Sequence, residues 1–174
     1  ESFKDVRRSG IIALSLGSGD ELLAVRVVEK GDDVLLATRN GQSIRFSESN
    51  IRAMGRTAGG VTGIKLASSD AIVGAVVSPH ADGGDETSLL VVSEQGFGKR
   101  TRIKEYRLQR RGGSGVKTFK VTTKTGKVIA ARALRGSLGE LLAISRQGVA
   151  IKVPLAQIPL QGRQTQGVRV MRPR

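Results

Sequence analysis

A gapless internal repeat of about fifty residues constrains the fold of this chain more than any other feature. Residues 36–66, 91–121 and 143–173 align without insertions, and each begins with apolar residues followed by a polar pair and a glycine. In every copy a Gly–Val pair follows nineteen positions after that glycine. The paired glycines are Gly41 and Gly60, Gly96 and Gly115, and Gly148 and Gly167. Repeats of this length indicate an array of identical supersecondary units, such as a solenoid or a propeller.

Short apolar runs and alternations rich in Val, Ile and Leu predict β-strands throughout each copy. The predicted strand regions are 20–28, 33–46, 71–78, 88–101, 127–134 and 140–153. Asn40 and Gly41 predict a type I′ hairpin turn, because both residues tolerate a positive φ. About four strands per unit would leave open edges in a lone unit, and arraying the units covers them. The sequence therefore predicts an all-β, propeller-like array of about three to four blades.

The repeat also divides the chain. We expect residues 1–174 to form one domain, or part of one, with units at approximately 1–16 (the tail of a blade), 17–66, 67–121 and 122–174. The chain does not begin with Met, so we also expect it to be a piece of a longer protein.

The positive charge follows the repeat. The chain has 29 Lys and Arg against 15 Asp and Glu, a formal net charge of +14. Residues 36–66, 91–121 and 143–174 together contain 20 of those cations and only 3 of the acids. A surplus of this kind predicts an acidic partner. Cations that recur along an array suit a long, regularly charged polymer, and duplex DNA is the leading candidate. A scaffold that binds acidic proteins or other polyanions is the alternative.

The most basic loop lies at residues 106–117, where "YRLQRRGGSGVK" combines four cations with three glycines. Gly112, Gly113 and Gly115 suggest a phosphate cradle, but the stretch matches neither the P-loop nor the dinucleotide-binding pattern. It leads into another strand-like run, and its aligned copies keep the frame without the glycine density. We therefore predict a specialised repeat loop, with no cofactor, no metal and no catalytic residue.

The same loop carries a family resemblance. "QRRGGSG" at residues 109–115 resembles the gyrase A box, Q-R-R-G-G-K-G, and the repeats are similar to those in the C-terminal domain of bacterial gyrase A proteins. The corresponding protein of topoisomerase IV has a similar domain. The resemblance implies a β-pinwheel, a propeller-like array whose blades exchange strands. It departs from the family in two respects: Ser114 replaces the lysine of the box, and more than two units precede a loop that usually belongs to the first blade.

The resemblance also implies a function. The domain would bind and bend or wrap double-stranded DNA around a basic rim, without catalysis of its own, within an ATP-dependent type IIA topoisomerase. Its partners would be the N-terminal cleavage domain of the same polypeptide and the ATPase subunit, in the cytoplasm with the nucleoid and away from any membrane. The predicted DNA-binding residues are Gln109, Arg110, Arg111, Gly112, Gly113 and Gly115 in the loop, Lys99, Arg100, Arg102 and Lys104 in the strand before it, and Arg45, Arg56, Lys152 and Arg163 at aligned positions.

Two residues invite a catalytic interpretation that the repeat disfavours. Tyr106 is the only tyrosine, and topoisomerases use a tyrosine nucleophile, but isoleucines Ile51 and Ile158 take its place in the other copies. We therefore predict a packing role for Tyr106. His80 lies among Asp82, Asp85 and Glu86 in a polar stretch that we interpret as a solvated turn and not as a metal site.

Overall fold

The computed structural model describes residues 3–4, 6, 8–79 and 87–172, so His80 and the acidic residues after it lie outside the described part. Ten strands and no α-helix occur in the described residues. The strands are β1 Asp32–Thr38, β2 Gln42–Ser47, β3 Ile72–Pro79, β4 Thr87–Ser93, β5 Phe97–Arg102, β6 Val116–Lys117, β7 Val128–Arg135, β8 Glu140–Ile144, β9 Ala150–Pro154 and β10 Val168–Arg169. One 3₁₀ turn follows each of β2, β5 and β9.

The strands form three antiparallel sheets that exchange edge strands. The first sheet has the order β3-β1-β2-β6, the second β7-β4-β5-β10, and the third contains β8 and β9. Strand β6 follows the second hairpin in the chain but pairs with β2 of the first, where Ser43 lies opposite Val116. Strand β10 likewise follows the third hairpin and pairs with β5 of the second. Each exchanged strand therefore joins one repeat to the sheet of the repeat before it.

The hairpin turns differ from the type I′ turn predicted at Asn40 and Gly41. Gly41 has a φ of 82°, whereas Asn40 is not among the residues with positive φ. The Gly41 N–H donates to the Thr38 carbonyl at 3.0 Å, which closes a type I turn followed by a left-handed glycine. Gly96 and Gly148 repeat this geometry with φ values of 71° and 81°. The three glycines are thus required at the third loop position, and the residue before each is free to vary.

The predicted strand at 20–28 does not form, although the other five predicted regions do contain strands. Its counterparts β3 and β7 each pair with the first strand of a hairpin, β1 and β4 respectively. No described residue provides such a hairpin for 20–28, and Val27 is 89% exposed. A strand needs a partner for its backbone groups, so an apolar alternation alone was insufficient here.

The main core lies between the first two sheets. Leu35 and Val91 from the two hairpins pack in one cluster with Tyr106, which is 1% exposed. The Tyr106 hydroxyl shares a 2.6 Å hydrogen bond with Thr118 Oγ1, and burial raises the pKa of the phenol to about 12. The packing role predicted for Tyr106 is confirmed.

Candidate nucleic-acid interface

The predicted cations fall into a buried group and an exposed group. Arg45, Lys99 and Arg100, which were predicted to bind DNA, are all buried. Strands β2 and β5 each lie between a hairpin partner and an exchanged strand, and the neighbouring repeat covers them further. Their cations are consequently enclosed between repeats.

Arg45 connects the first sheet to the second hairpin. Its Nε and Nη2 donate to Asp33 Oδ2 at 2.9 and 2.5 Å, and its Nη1 donates to the carbonyls of Ile103 and Tyr106 at 3.1 and 3.2 Å. Asp33 is 1% exposed. The guanidinium therefore neutralises a buried carboxylate and holds the turn of the next repeat in place.

Arg100 occupies the same position one repeat later. Its Nε donates to the Ile158 carbonyl at 2.8 Å, and its Nη1 donates to the Gly136 carbonyl at 3.3 Å. Ser88 takes the place of Asp33 in this copy, so Arg100 is held here by carbonyl oxygens of the following repeat. Both buried arginines thus act as connections between neighbouring repeats.

The third copy keeps the pair but leaves it uncovered. Lys152 Nζ lies 2.5 Å from Glu140 Oε2, at the positions equivalent to Arg45 and Asp33. The two side chains are 65% and 49% exposed, because no described residue covers this end of the array. An exposed pair of this kind contributes at most about 1 kcal/mol.

Lys99 holds the loop of the following repeat by hydrogen bonds to its backbone. Its Nζ donates to the carbonyls of Gly162 and Arg163 at 2.5 and 2.7 Å. Burial lowers the pKa of the ammonium to about 8, and the nearby carboxylate of Glu105 partly opposes this shift. The corresponding residue in the first hairpin is Ile44, which lies beneath Gly113 of the box-like loop. The two loops therefore rest on different side chains at the same position.

Hydrogen bonds fix the box-like loop, residues 109–115, to the first repeat. Arg111 donates from Nε to the Asn50 carbonyl at 3.0 Å and from Nη1 to the Thr62 carbonyl at 3.2 Å. The Gly112 N–H donates to the Gly63 carbonyl at 2.6 Å. The half-buried Gln109 continues this attachment, since its N–H donates to the Arg45 carbonyl at 2.8 Å. Most residues of the loop therefore have structural contacts.

Backbone geometry explains two of the loop glycines. Gly115 has a φ of 75°, and a Cβ atom there would collide with the Ser43 carbonyl oxygen. Gly112 has a φ of 80°. Both positions are strained for any other residue.

The remaining predicted cations are more accessible. Arg110, Arg102 and Lys104 are exposed, as is Arg56, whose Nη1 donates to the Ile12 carbonyl at 2.7 Å. Arg163 is half-buried, and its Nη1 donates to the Lys117 carbonyl at 3.1 Å. Within the box-like loop, Arg110 is thus the exposed cation, and Arg111 is half-buried.

The prediction missed a second set of repeated cations, which lie on or just after the exchanged strands in the second and third repeats and at the equivalent position in the first. Each lies two or five positions after the glycine of a Gly–Val pair, and every one is exposed. They are Lys65, Lys117, Lys120, Arg169 and Arg172. The repeat alignment contains this signal, because the same spacing recurs after Gly60, Gly115 and Gly167. We call these five residues and Arg110 of the box-like loop, six in all, the edge cations.

Lys117 and Arg169 lie on the exchanged strands, at sheet edges opposite the inner strands. In both four-stranded sheets the exchanged strand is at the edge opposite β3 or β7, and these two inner strands pack together at Gly74 and Ala131.

Among the described residues no group of acids and histidines has the arrangement of a metal site, and no helix is long and apolar enough to cross a membrane.

Successive antiparallel sheets, of which the first two each take an edge strand from the following repeat, define a β-pinwheel, the strand-exchanging form of a propeller. The family described as "DNA gyrase C-terminal domain, beta-propeller" matches residues 1–29, 32–79, 87–135 and 139–172. The chain belongs to this family.

Individual relatives agree with this assignment. The chain is 43% identical over 171 residues to the DNA gyrase A protein of Staphylococcus aureus strain MRSA252 and 41% identical to that of Staphylococcus epidermidis strain ATCC 12228. Each match covers 98% of this chain but 19% of the relative, so the chain spans about a fifth of these proteins.

Solved structures show the same fold. The C-terminal domain of a DNA gyrase A superposes with a TM-score of 0.82 at 27% identity, over 94% of this chain and 54% of that one. The C-terminal domain of a DNA topoisomerase IV gives a TM-score of 0.88 at 20% identity, over 98% and 52%. The all-β, propeller-like class predicted from the repeats and the β-pinwheel implied by the family resemblance are both confirmed.

Proposed function

We propose that this chain is a non-catalytic module of a type IIA DNA topoisomerase, similar to gyrase A, and that it binds and bends or wraps duplex DNA. The observation that carries the proposal is an exposed cation five positions after the glycine of the Gly–Val pair in all three repeats, with a second one two positions after that glycine in the last two repeats. Membership of the DNA gyrase C-terminal domain family supports it.

Duplex DNA suits this arrangement for a physical reason. It carries one phosphate charge per roughly 1.7 Å of helix axis, so cations spaced along an array meet phosphates wherever the duplex follows the array. Bending a site of 20–30 base pairs by 40–90° costs on the order of 1–6 kcal/mol, which distributed phosphate contacts offset. The edge cations would make those contacts.

Aromatic content favours contact with the backbone of DNA over contact with its bases. The chain has four Phe and one Tyr. Phe46, Phe97, Phe119 and Tyr106 are buried, which leaves Phe3 as the exposed one. Stacking platforms for single-stranded bases are therefore poorly supplied, and binding without strong sequence preference follows.

We assign the predicted residues to two roles. Contact with phosphates falls to the edge cations, to Arg102 and Lys104 in the basic strand, and to Arg56. Positioning falls to residues that are buried or half-buried, namely Arg45, Lys99, Arg100, Gln109, Arg111, Gly112, Gly113, Gly115 and Arg163. Lys152 belongs with them, because it is paired with Glu140.

In the parent enzyme the module would act with other parts. We propose that it works beside the DNA-cleaving domain of the same polypeptide and with the ATPase subunit, within one ATP-dependent, nucleoid-associated enzyme of the bacterial cytoplasm. Bent DNA held at the edge cations would present a segment for strand passage.

A salt titration of DNA binding tests the proposal. Affinity for a long duplex is measured by electrophoretic shift, and we expect the logarithm of the binding constant to fall with the logarithm of salt concentration by about 0.9 per phosphate neutralised. Lys117→Ala/Lys120→Ala should flatten that slope by about two units. The matched control is Arg132→Ala/Arg146→Ala, which removes two exposed cations from β7 and from the third hairpin loop.

Two results would count against the proposal. One is an unchanged slope for the Lys117 and Lys120 variant while the control variant flattens it. The other is equal affinity per mole for short and long duplexes, because a wrapped or bent ligand needs length and a point contact with a polyanion does not.

A further inference from the structure

One aromatic ring of the second sheet is in contact with two cations from different parts of the chain. Arg169 of β10 lies opposite Phe97 of β5 in the sheet, and its Cζ is 4.8 Å from the centre of the Phe97 ring. Lys124 approaches the same ring, with its Nζ 5.6 Å from the ring centre. Both distances are typical of cation–π contacts, in which the face of a ring attracts a positive charge. Phe97 therefore supports two positive charges at once.

The turn that carries Lys124 is bonded to the second hairpin. It comprises residues 122–126, and its central Thr125 is buried. The Thr125 carbonyl accepts hydrogen bonds from Ser93 Oγ at 2.7 Å and from the Gln95 N–H at 3.1 Å. These bonds fix the backbone of the turn beside the ring, so the position of Lys124 is set by the fold.

No described acid offsets the two charges. Within the part of the chain that the structure describes, neither Lys124 nor Arg169 forms an ion pair. Glu94, in the loop of the second hairpin, is already bonded to Arg39 Nη2 at 3.1 Å and to the Lys127 N–H at 2.9 Å. Both cations are exposed, and like charges held near each other are stabilised by an anion that binds to both.

The first sheet lacks this arrangement, although all four of its strands are described. There Lys117 of β6 lies opposite Gln42, which takes the place of Phe97. The turn that corresponds to residues 122–126 contains no Lys or Arg and ends at Asp70. The ring and the second cation therefore occur together in one sheet and are both missing from the other.

We propose that Arg169 and Lys124, supported by Phe97, form a binding site for phosphate groups of the DNA backbone, which the first sheet does not have. This site rests on the proposed function, and it adds Lys124 to the contacting residues and Phe97 as a positioning residue. A guanidinium that contacts a ring through its face keeps the N–H donors in its plane available to phosphate oxygens. Side chains that are already held in place also lose less conformational entropy when the duplex binds.

Salt titrations of duplex affinity test the role of Lys124. Lys124→Ala should flatten the slope by about one unit, and Lys124→Ala/Arg169→Ala should flatten it by about two. The matched control is Arg132→Ala, which removes an exposed cation from β7 and should leave the slope unchanged. A Lys124→Ala slope equal to that of the control would overturn the site and leave the proposed function intact. An unsubstituted chain that does not bind long duplexes would overturn both.

Phe97→Leu tests the role of the ring. It keeps both cations and an apolar side chain, so the slope should stay the same while binding weakens by about 2–10-fold, the cost of ordering one freed side chain. A loss of packing alone would weaken binding whether or not the cations are present. The same substitution in the Lys124→Ala/Arg169→Ala chain should therefore leave the affinity unchanged, and an equal loss in both backgrounds would overturn the positioning role of Phe97.

Proton NMR of the free chain checks the ring contact without DNA. The ring current of Phe97 should shift the resonance of the Lys124 ε-methylene protons upfield, and Phe97→Leu should return it to the position of an ordinary exposed lysine. A Lys124 resonance that is the same in both chains would overturn the contact, whatever the DNA titrations show.

Discussion

Arg45 allows the structural and the DNA-binding roles of a cation to be separated in one experiment. Replacement by Met keeps the aliphatic length but removes the guanidinium, which leaves the Asp33 carboxylate buried and the Ile103 and Tyr106 carbonyls without these donors. Removing one partner of a buried ion pair typically costs about 3–5 kcal/mol. For a domain of this length that corresponds to a fall in Tm of about 6–20 °C.

The assay is urea denaturation followed by far-ultraviolet circular dichroism, because the chain has no tryptophan to report unfolding by fluorescence. Asp33→Leu/Arg45→Met is the compensating variant. It removes both charges and should recover part of the lost stability, since replacing a buried pair by apolar residues is often neutral. The recovery separates the cost of an unpaired carboxylate from the cost of lost packing.

The same variants discriminate between the two roles of Arg45. If Arg45 positions the second repeat and does not contact DNA, the folded Arg45→Met protein keeps the salt slope of the unsubstituted chain. A slope lower by about one unit, with stability nearly unchanged, would refute the assignment, because that is the signature of a lost phosphate contact.

Two further variants test the loops. Gly115→Ala should destabilise the fold by about 2 kcal/mol or more in urea titrations, through positive φ and collision with the Ser43 carbonyl, whereas Gly59→Ala, in open space, should change little. Lys99 should make stability rise between about pH 8 and pH 10, because the unfolded chain binds more protons in that window when the folded pKa is depressed. Lys99→Met should remove this rise, and a rise of unchanged size would show that the ammonium is not the cause. Ending the titration near pH 10 avoids Tyr106, whose pKa burial raises to about 12.

The repeat made the fold predictable, and the strand prediction that was wrong has a clear physical cause. Hairpins at Gly41, Gly96 and Gly148 form where the aligned spacing predicts them, because local turn chemistry and apolar alternation act within a few residues. Residues 20–28 have the same alternation but no hairpin to pair with in the described chain. Strand formation depends on a partner that can lie far away in the chain, and alternation carries no information about it.

Burial of the cations was less predictable than their recurrence. Arg45 and Arg100 occupy the same position in successive repeats, and they were therefore expected at the surface. A recurring residue type indicates only that the environment is the same in each repeat. For these two arginines that environment is the protein interior. The aligned partners carry the missing signal. Asp33 and Glu140 lie across the hairpin from Arg45 and Lys152, and a cation matched by an acid in the facing strand is more typical of an ion pair than of a phosphate contact.

Strand exchange explains how buried, structural cations and exposed cations coexist in one repeat. Lys117 belongs to the second repeat by sequence but lies on β6, in the first sheet, and Arg169 belongs to the third but lies in the second. The spacing between such cations is therefore the spacing between sheets, which Arg45 and Arg100 help to set by holding each repeat against the previous one. Under the proposed function, the buried arginines would therefore influence the path of a bound duplex through the geometry of the array and would not contact a phosphate.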